Sequence, residues 1–203
     1  MTAFNPLVQG WAWSRTSTST SMLGALPVVS MPPAIPAPSL RPMLPLDSLS
    51  FHITHYRPNI LNATILGPQN RRLYRSVTDG TPGCPTVLRD EHQRAVALVD
   101  WSGPPTVEIP GVLKRTPARN WLHLSANRTS RHMEVRGMKY LWQPVGADIC
   151  LFLNESDDKS ILARVSRDSS GATLEMSGTA MQHGLLEICL VASTLFLSGA
   201  NLD

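Results

Sequence analysis

LLEICLVASTLFL, from Leu185 to Leu197, is the stretch whose reading decides the fold. It is apolar on nearly every helical face, and Glu187 is its single charge. A helix that is apolar all round has to be enclosed by other elements. Ahead of it, Thr179-x-x-Gln182 fits a capping box, in which a hydroxyl and an amide side chain satisfy the first free backbone donors. Behind it, Gly199 suits a left-handed C-cap. The spacing predicts one helix from about Ala180 to Ser198, about 28 Å long at the usual rise. Gly184 near its start is expected to weaken it by about 1 kcal/mol relative to Ala. A membrane span needs about twenty apolar residues. This run is shorter and carries Glu187, so it reads as a core helix.

Working outward, short strand-like runs precede the helix. Leu49-Ser50-Phe51-His52-Ile53 alternates apolar and polar with a period of two, the pattern of a half-buried strand. Asn62–Leu66 and Leu73–Val77 flank the turn Gly67–Asn70, which is hairpin grammar. Thr86–Arg89 and Ala95–Trp101 pair across Asp90–Arg94. Thr106–Ile109 and Val112–Lys114 flank Pro110-Gly111. Thr116–Asn120 is expected to make one helical turn, since Pro117 suits a first helical position. Arg131–Val135 and Lys139–Gln143 hinge at Gly137. Ile149–Leu153 and Ile161–Val165 flank the acidic NESDDKS, and Thr173–Met176 is the last strand. The predicted class is mainly β: an antiparallel β-barrel or strongly curled sheet enclosing one hydrophobic C-terminal helix. Closure would also hide the sheet edges.

The chain has 203 residues, enough for one domain and a tail. Residues 1–46 read as a disordered Ser/Thr/Pro-rich tail, because RTSTSTS is low in complexity and eight of the 17 prolines precede residue 50. Proline removes backbone donors and favours polyproline II over helix or sheet. Residues 47–203 are the expected β domain. The net charge of +3 is too weak for the dense basic stripe of a nucleic-acid binder, so no nucleic-acid partner is expected. Cys84, Cys150 and Cys189 match neither a disulfide framework nor a zinc knuckle. Free thiols fit a reducing compartment. No basic start followed by an apolar run marks a signal peptide. The expected location is intracellular and cytoplasmic, with peripheral contact to membranes.

Several stretches together carry a resemblance. Asn62-Ala-Thr-Ile65 is followed by Arg72-Leu-Tyr74-Arg75. Then come Ala97-Leu-Val-Asp-Trp101, Thr106-Val-Glu-Ile109 with Pro110-Gly111, Lys139-Tyr140-Leu-Trp142, Leu162-Ala163-Arg164-Val165 and the apolar terminal helix. In this order they resemble a fungal (basidiomycete) family, the domain of unknown function numbered 6593. That family is related in fold to tubby C-terminal, LURP-one and scramblase-like domains. The resemblance covers about residues 47–198. It implies a tubby C-terminal-like antiparallel barrel around a central helix, and brings no established activity or catalytic residues. The Pro-rich tail and the ending SGANLD depart from the family pattern.

Catalytic and metal chemistry find little support. His52 and His55 are three apart, so on a strand they face opposite sides and cannot share one ion without a bend. No G-x-S-x-G elbow and no phosphate-binding glycine loop occur. Cys84 reads as a loop thiol without a basic partner. Asp90-Glu91 and Asp157-Asp158 read as solvated turns. No enzyme activity, metal or cofactor is expected. Trp101, Trp121, Tyr140 and Trp142 read as packing.

The basic residues are more informative. Arg71, Arg72 and Arg75 surround one hairpin. Lys114, Arg115 and Arg119 form a second group, and Arg128, Arg131, Arg136 and Lys139 a third. Arginine forks match phosphate geometry. If two groups share a face or end, they can hold a phosphoinositide headgroup, as the resemblance to tubby relatives implies. The candidate anion-binding set is Arg71, Arg72, Arg75, Lys114, Arg115, Arg119, Arg131 and Lys139, with Glu108 and Glu134 diluting the field. The expected function is a non-enzymatic binding module for anionic phospholipid headgroups or a protein partner. The alternative is a scramblase-like lipid-handling protein whose terminal helix inserts into the membrane.

Overall fold

Alternation of apolar and polar residues runs through nearly every segment ahead of the terminal helix, and the chain accordingly builds a sheet. The computed structural model describes residues 43–54, 60–80, 83–154, 160–167 and 171–203. The expected tail up to residue 42, His55 and most of NESDDKS lie outside the described residues. Among the described residues there are thirteen strands: β1 (Leu49–Thr54), β2 (Ala63–Leu66), β3 (Arg72–Thr78), β4 (Thr86–Asp90), β5 (Ala95–Asp100), β6 (Thr106–Ile109), β7 (Leu113–Pro117), β8 (His123–Leu124), β9 (Arg131–Val135), β10 (Met138–Val145), β11 (Asp148–Leu153), β12 (Ile161–Arg167) and β13 (Ala172–Met176). The α-helices are α1 (Ala118–Trp121), α2 (Gly178–Gln182) and α3 (Leu186–Leu197).

All strands join one antiparallel sheet in the order β7-β6-β5-β4-β3-β2-β1-β13-β12-β11-β10-β9-β8. Hairpins build each arm, and the β1–β13 pairing joins the two arms, with Phe51 opposite Leu174. The hydrogen-bonded ladder does not close: β7 and β8 are its two ends. Of the two forms expected, the curled sheet is the one observed. Five residues, 118–122, connect β7 to β8 through α1, so the unpaired ends stay near each other.

The curl follows from what α3 touches. It packs on β5 and β13, which stand five places apart in the sheet. In a flat sheet those strands would lie about 24 Å apart, at about 4.8 Å per strand. A helix with its side chains is only about 10 Å across. The sheet therefore wraps it. Tyr74 of β3 donates to Glu187 of α3 at 2.7 Å. Trp142 of β10 meets Phe196 edge-on, with ring centroids 5.3 Å apart. Inward positions repeat with the period of two: Phe51 and Ile53, Ala63 and Ile65, Ala97 and Val99, Tyr140 and Trp142, Leu174 and Met176 are all buried. Eight of the 12 residues of α3 are buried among them.

The single long helix expected over 180–198 is two helices. Ser177, not Thr179, caps the first: its hydroxyl accepts from the Ala180 amide at 3.2 Å. Thr179 lies inside α2, so the expected capping box does not form. Gly184 then takes a left-handed φ of +65°. A Cβ there would stand 2.9 Å from Arg136 Nη1. The glycine lets the chain turn from α2, which packs on β12, into the interior. Gly199 follows the helix with φ +72°, as expected of a C-cap glycine. Thr116 and Pro117 extend β7, and the helical turn begins one residue later at Ala118. No helix among the described residues is long and apolar enough to cross a membrane.

Candidate functional site

Antiparallel pairing gives the curled sheet two rims. The β2–β3, β4–β5, β6–β7 and β9–β10 turns share one rim with the start of α3. The other rim carries α1, residues 125–130 and residues 198–203. This sorting decides which basic residues can cooperate.

Arg71, Arg72, Lys114, Arg136 and Lys139 stand at or beside the first rim, so parts of all three expected groups share it. They are spread around it: Lys114 belongs to the end strand β7, Arg72 to β3 and Lys139 to β10. Acids interrupt the row. Arg71 pairs with Glu91 at 2.5 Å, and Arg94 with Asp90 at 2.7 Å. Lys139 stands opposite Glu134 in the β9–β10 register. Desolvation works against the Asp90 carboxylate, but hydrogen bonds from the Arg94 backbone and side chain and the His92 amide hold it below its usual range.

Arg115 projects from β7 toward Asp100 and Thr106 and is paired with the Asp100 carboxylate. The Ser102 backbone amide, followed by the Ser102 side chain and Arg115, holds Asp100 below the usual carboxylate range. Arg119 is exposed on α1 at the other rim.

Arg131 needs correction. The sequence reading put it in the third basic group and the candidate anion-binding set; the structure buries it completely, on the inward parity of Met133 and Val135. Its Nη1 donates to the Leu122 carbonyl at 2.7 Å, and its fork grips Asp203 at 3.1 and 2.5 Å. Arg131 Nε and Trp142 Nε1, on directly opposite residues of β9 and β10, have no hydrogen-bond partner among the described residues. Arg131 cannot meet an external ligand and leaves the candidate set.

Two like charges meet on the outer face of β3 and β4, an exposed Arg75 and a half-buried Arg89. Tyr74 and Ser76 point inward on β3, which turns Arg75 outward. Thr86 and Leu88 are buried on β4, which turns Arg89 outward. In the register Arg75 stands directly opposite Arg89. Neither makes an ion pair among the described residues, and Arg89 donates to the Gln93 carbonyl at 2.9 Å. Arg72 begins the same strand and is exposed. The next outward row is apolar: Val77 faces Val87, and Val87 faces Leu98. Sequence reasoning missed Arg89. The alternation of Thr86–Arg89 would have turned it outward, but only the β3–β4 register sets it against Arg75.

Other chemistry is sparse. Among the described residues no group of three or more His, Cys, Asp or Glu is arranged to hold a metal ion. His52 Nδ1 lies 3.3 Å from the Thr173 hydroxyl. Cys150 and Cys189 are buried thiols. Burial pushes Cys150 up to about 12 and raises Cys189 as well. Trp121 is buried, and Trp101 donates to the Thr86 hydroxyl at 2.7 Å.

The chain belongs to the family of unknown function DUF6593, whose model matches residues 58–198. No curated protein matches it. A crystal structure of a protein from Arabidopsis thaliana is similar at 13% identity and a TM-score of 0.41, covering 71% of this chain and 91% of the plant protein.

Proposed function

We propose that this member of the family is a non-enzymatic binding module of tubby C-terminal-like architecture, taking anionic phospholipid headgroups on the outer face of β3 and β4 at intracellular membrane surfaces. The Arg75–Arg89 pair carries this reading. Like charges directly opposite on neighbouring strands are destabilising. A phosphate between them turns that repulsion into two charge-assisted contacts, for which the guanidinium fork is well shaped. Val77, Val87 and Leu98 supply an apolar strip next to it, and Arg72, exposed at the start of β3, adds to the positive field.

Co-sedimentation of the full chain with phosphatidylcholine vesicles, with and without phosphatidylinositol bisphosphate, tests the reading at two salt concentrations. Binding should need the anionic lipid, weaken with salt and be lost in the Arg75→Ala, Arg89→Ala double variant. Full binding by that variant removes the site. Absence of binding at low salt removes the lipid and favours a protein partner.

A further inference from the structure

The open seam of the sheet is built from an acid-free basic run. From residue 109 to 133 there is no Asp or Glu, while Lys114, Arg115, Arg119, Arg128 and Arg131 are cationic. These residues form β7, α1, β8 and the start of β9. Two of the cations are neutralised within the fold, Arg115 by Asp100 and Arg131 by Asp203. Lys114, Arg119 and Arg128 are exposed and make no ion pair among the described residues.

The seam also has two strand edges, with the Lys114 carbonyl on β7 accepting from the Thr116 hydroxyl at 2.6 Å. β7 pairs with β6 alone and β8 with β9 alone, so each leaves one edge without a strand. Such an edge is a template for another strand. Lys and Pro on an edge discourage pairing with a like edge. β7 carries the cations Lys114 and Arg115, so a second copy of β7 is repelled, while Pro117 offers no N–H to any added strand. A segment of opposite charge is attracted for the same reason. Lys114 to Pro117 spans about 10 Å of strand, and Arg119 follows just beyond. Carboxylates a few residues apart on one extended peptide can therefore reach both cations. A lipid surface offers charge but no strand to occupy the edge.

We propose that the seam between β7 and β8 is a docking edge for an acidic, extended segment of a partner protein, which adds as a strand along β7 and sets its carboxylates against Lys114 and Arg119. This mode draws affinity from main-chain hydrogen bonds and specificity from the flanking side chains. The site is separate from the Arg75–Arg89 face and does not depend on it.

The test uses the full chain and a fluorescein-labelled peptide of alternating Glu and Val. Controls are the same peptide N-methylated at alternate backbone amides, a Lys-for-Glu peptide, and phosphoinositide vesicles. The acidic peptide should bind with salt dependence. N-methylation and the Lys114→Glu, Arg119→Glu double variant should each weaken it about tenfold or more. Both replaced side chains are exposed, so the variant should keep its far-UV spectrum; Lys114→Ala, Arg119→Ala is the milder second variant. No saturation up to about 1 mM overturns the proposal. Unchanged binding of the N-methylated peptide overturns strand addition. Loss of vesicle binding with peptide binding intact in the double variant assigns the seam to a membrane surface instead, and also overturns it.

Discussion

Arg131 and Asp203, 72 residues apart, form a two-pronged ion pair that ties the residues after α3 to the start of β9. The guanidinium is fully buried while the carboxylate side chain is 35% exposed. The same guanidinium holds the Leu122 carbonyl, at the end of α1. One buried cation thus pins three pieces at the rim where the ladder is open. Leu202 beside the pair is buried too.

Asp203→Ala should therefore destabilise the domain by about 2 kcal/mol. Breaking a fully buried pair costs about 3–5 kcal/mol, and water reaching the exposed carboxylate reduces that here. Arg131→Lys should recover little, because a single ammonium cannot reproduce the fork. Urea denaturation of the three proteins measures this. A stability change within about 0.5 kcal/mol in both variants, the range of ordinary surface substitutions, would leave the ion pair without a structural role.

Gly184→Ala should destabilise by about 1–2 kcal/mol, the reverse of what a glycine inside a helix predicts. The residue sits at φ +65°, and the added Cβ would meet Arg136 Nη1 at 2.9 Å. Arg136 also donates to the His183 carbonyl at 3.1 Å, so the clash disturbs the contact that holds the break. Thermal melts decide the sign; a raised Tm contradicts a required left-handed turn.

Leu190→Asp should abolish folding. Leu190 is 1% exposed at the centre of α3, enclosed by the sheet. A lone buried charge there has no partner and is severely costly. Circular dichroism and gel filtration report the outcome. A folded, compact variant is incompatible with an enclosed α3.

Alkaline pH should unfold the domain progressively. Burial pushes the Cys150 thiol from 9.0 up to about 12, with Asp148 adding to the shift. Cys189 shifts in the same direction by burial, and Tyr74 by burial and then its bond to Glu187. The unfolded chain releases the thiol proton first. The stabilisation is therefore whole below about pH 9 and lost as pH rises toward 12. Urea midpoints measured across that window should fall, and Cys150→Ala should flatten part of the slope. Equal slopes in both proteins would separate Cys150 from the effect.

Arg75→Ala should leave stability unchanged or raise it by up to about 0.5 kcal/mol, since it removes a like-charge cross-strand pair. Anionic-vesicle binding by the same protein should fall. A loss of stability of more than about 1 kcal/mol would instead make Arg75 a structural residue.

Local patterns made much of the architecture legible. Thr106–Ile109 and Arg131–Val135 have the bounds that alternation predicts, and most other strands differ by one or two residues at an end. The two-residue β8 was not foreseen, being too short to alternate. The broken helix was missed because a sequence of apolar residues does not reveal which way the chain must turn to enter an enclosing sheet. Of the candidate cations, Arg72, Arg75, Lys114 and Arg119 are exposed and Arg131 is buried, a difference that no local pattern announces.

By itself, the sequence determined most of the strand segments, that the last apolar run is enclosed, and that Gly199 ends it in a left-handed turn. These depend on side-chain period and backbone sterics within a few residues. Tertiary structure alone decided that β1 meets β13, that the ladder stays open between β7 and β8, that Arg75 faces Arg89 and that Asp203 buries Arg131. Each is a pairing between separate segments. Its register comes from the packing of the whole sheet around α3, and no local pattern encodes it.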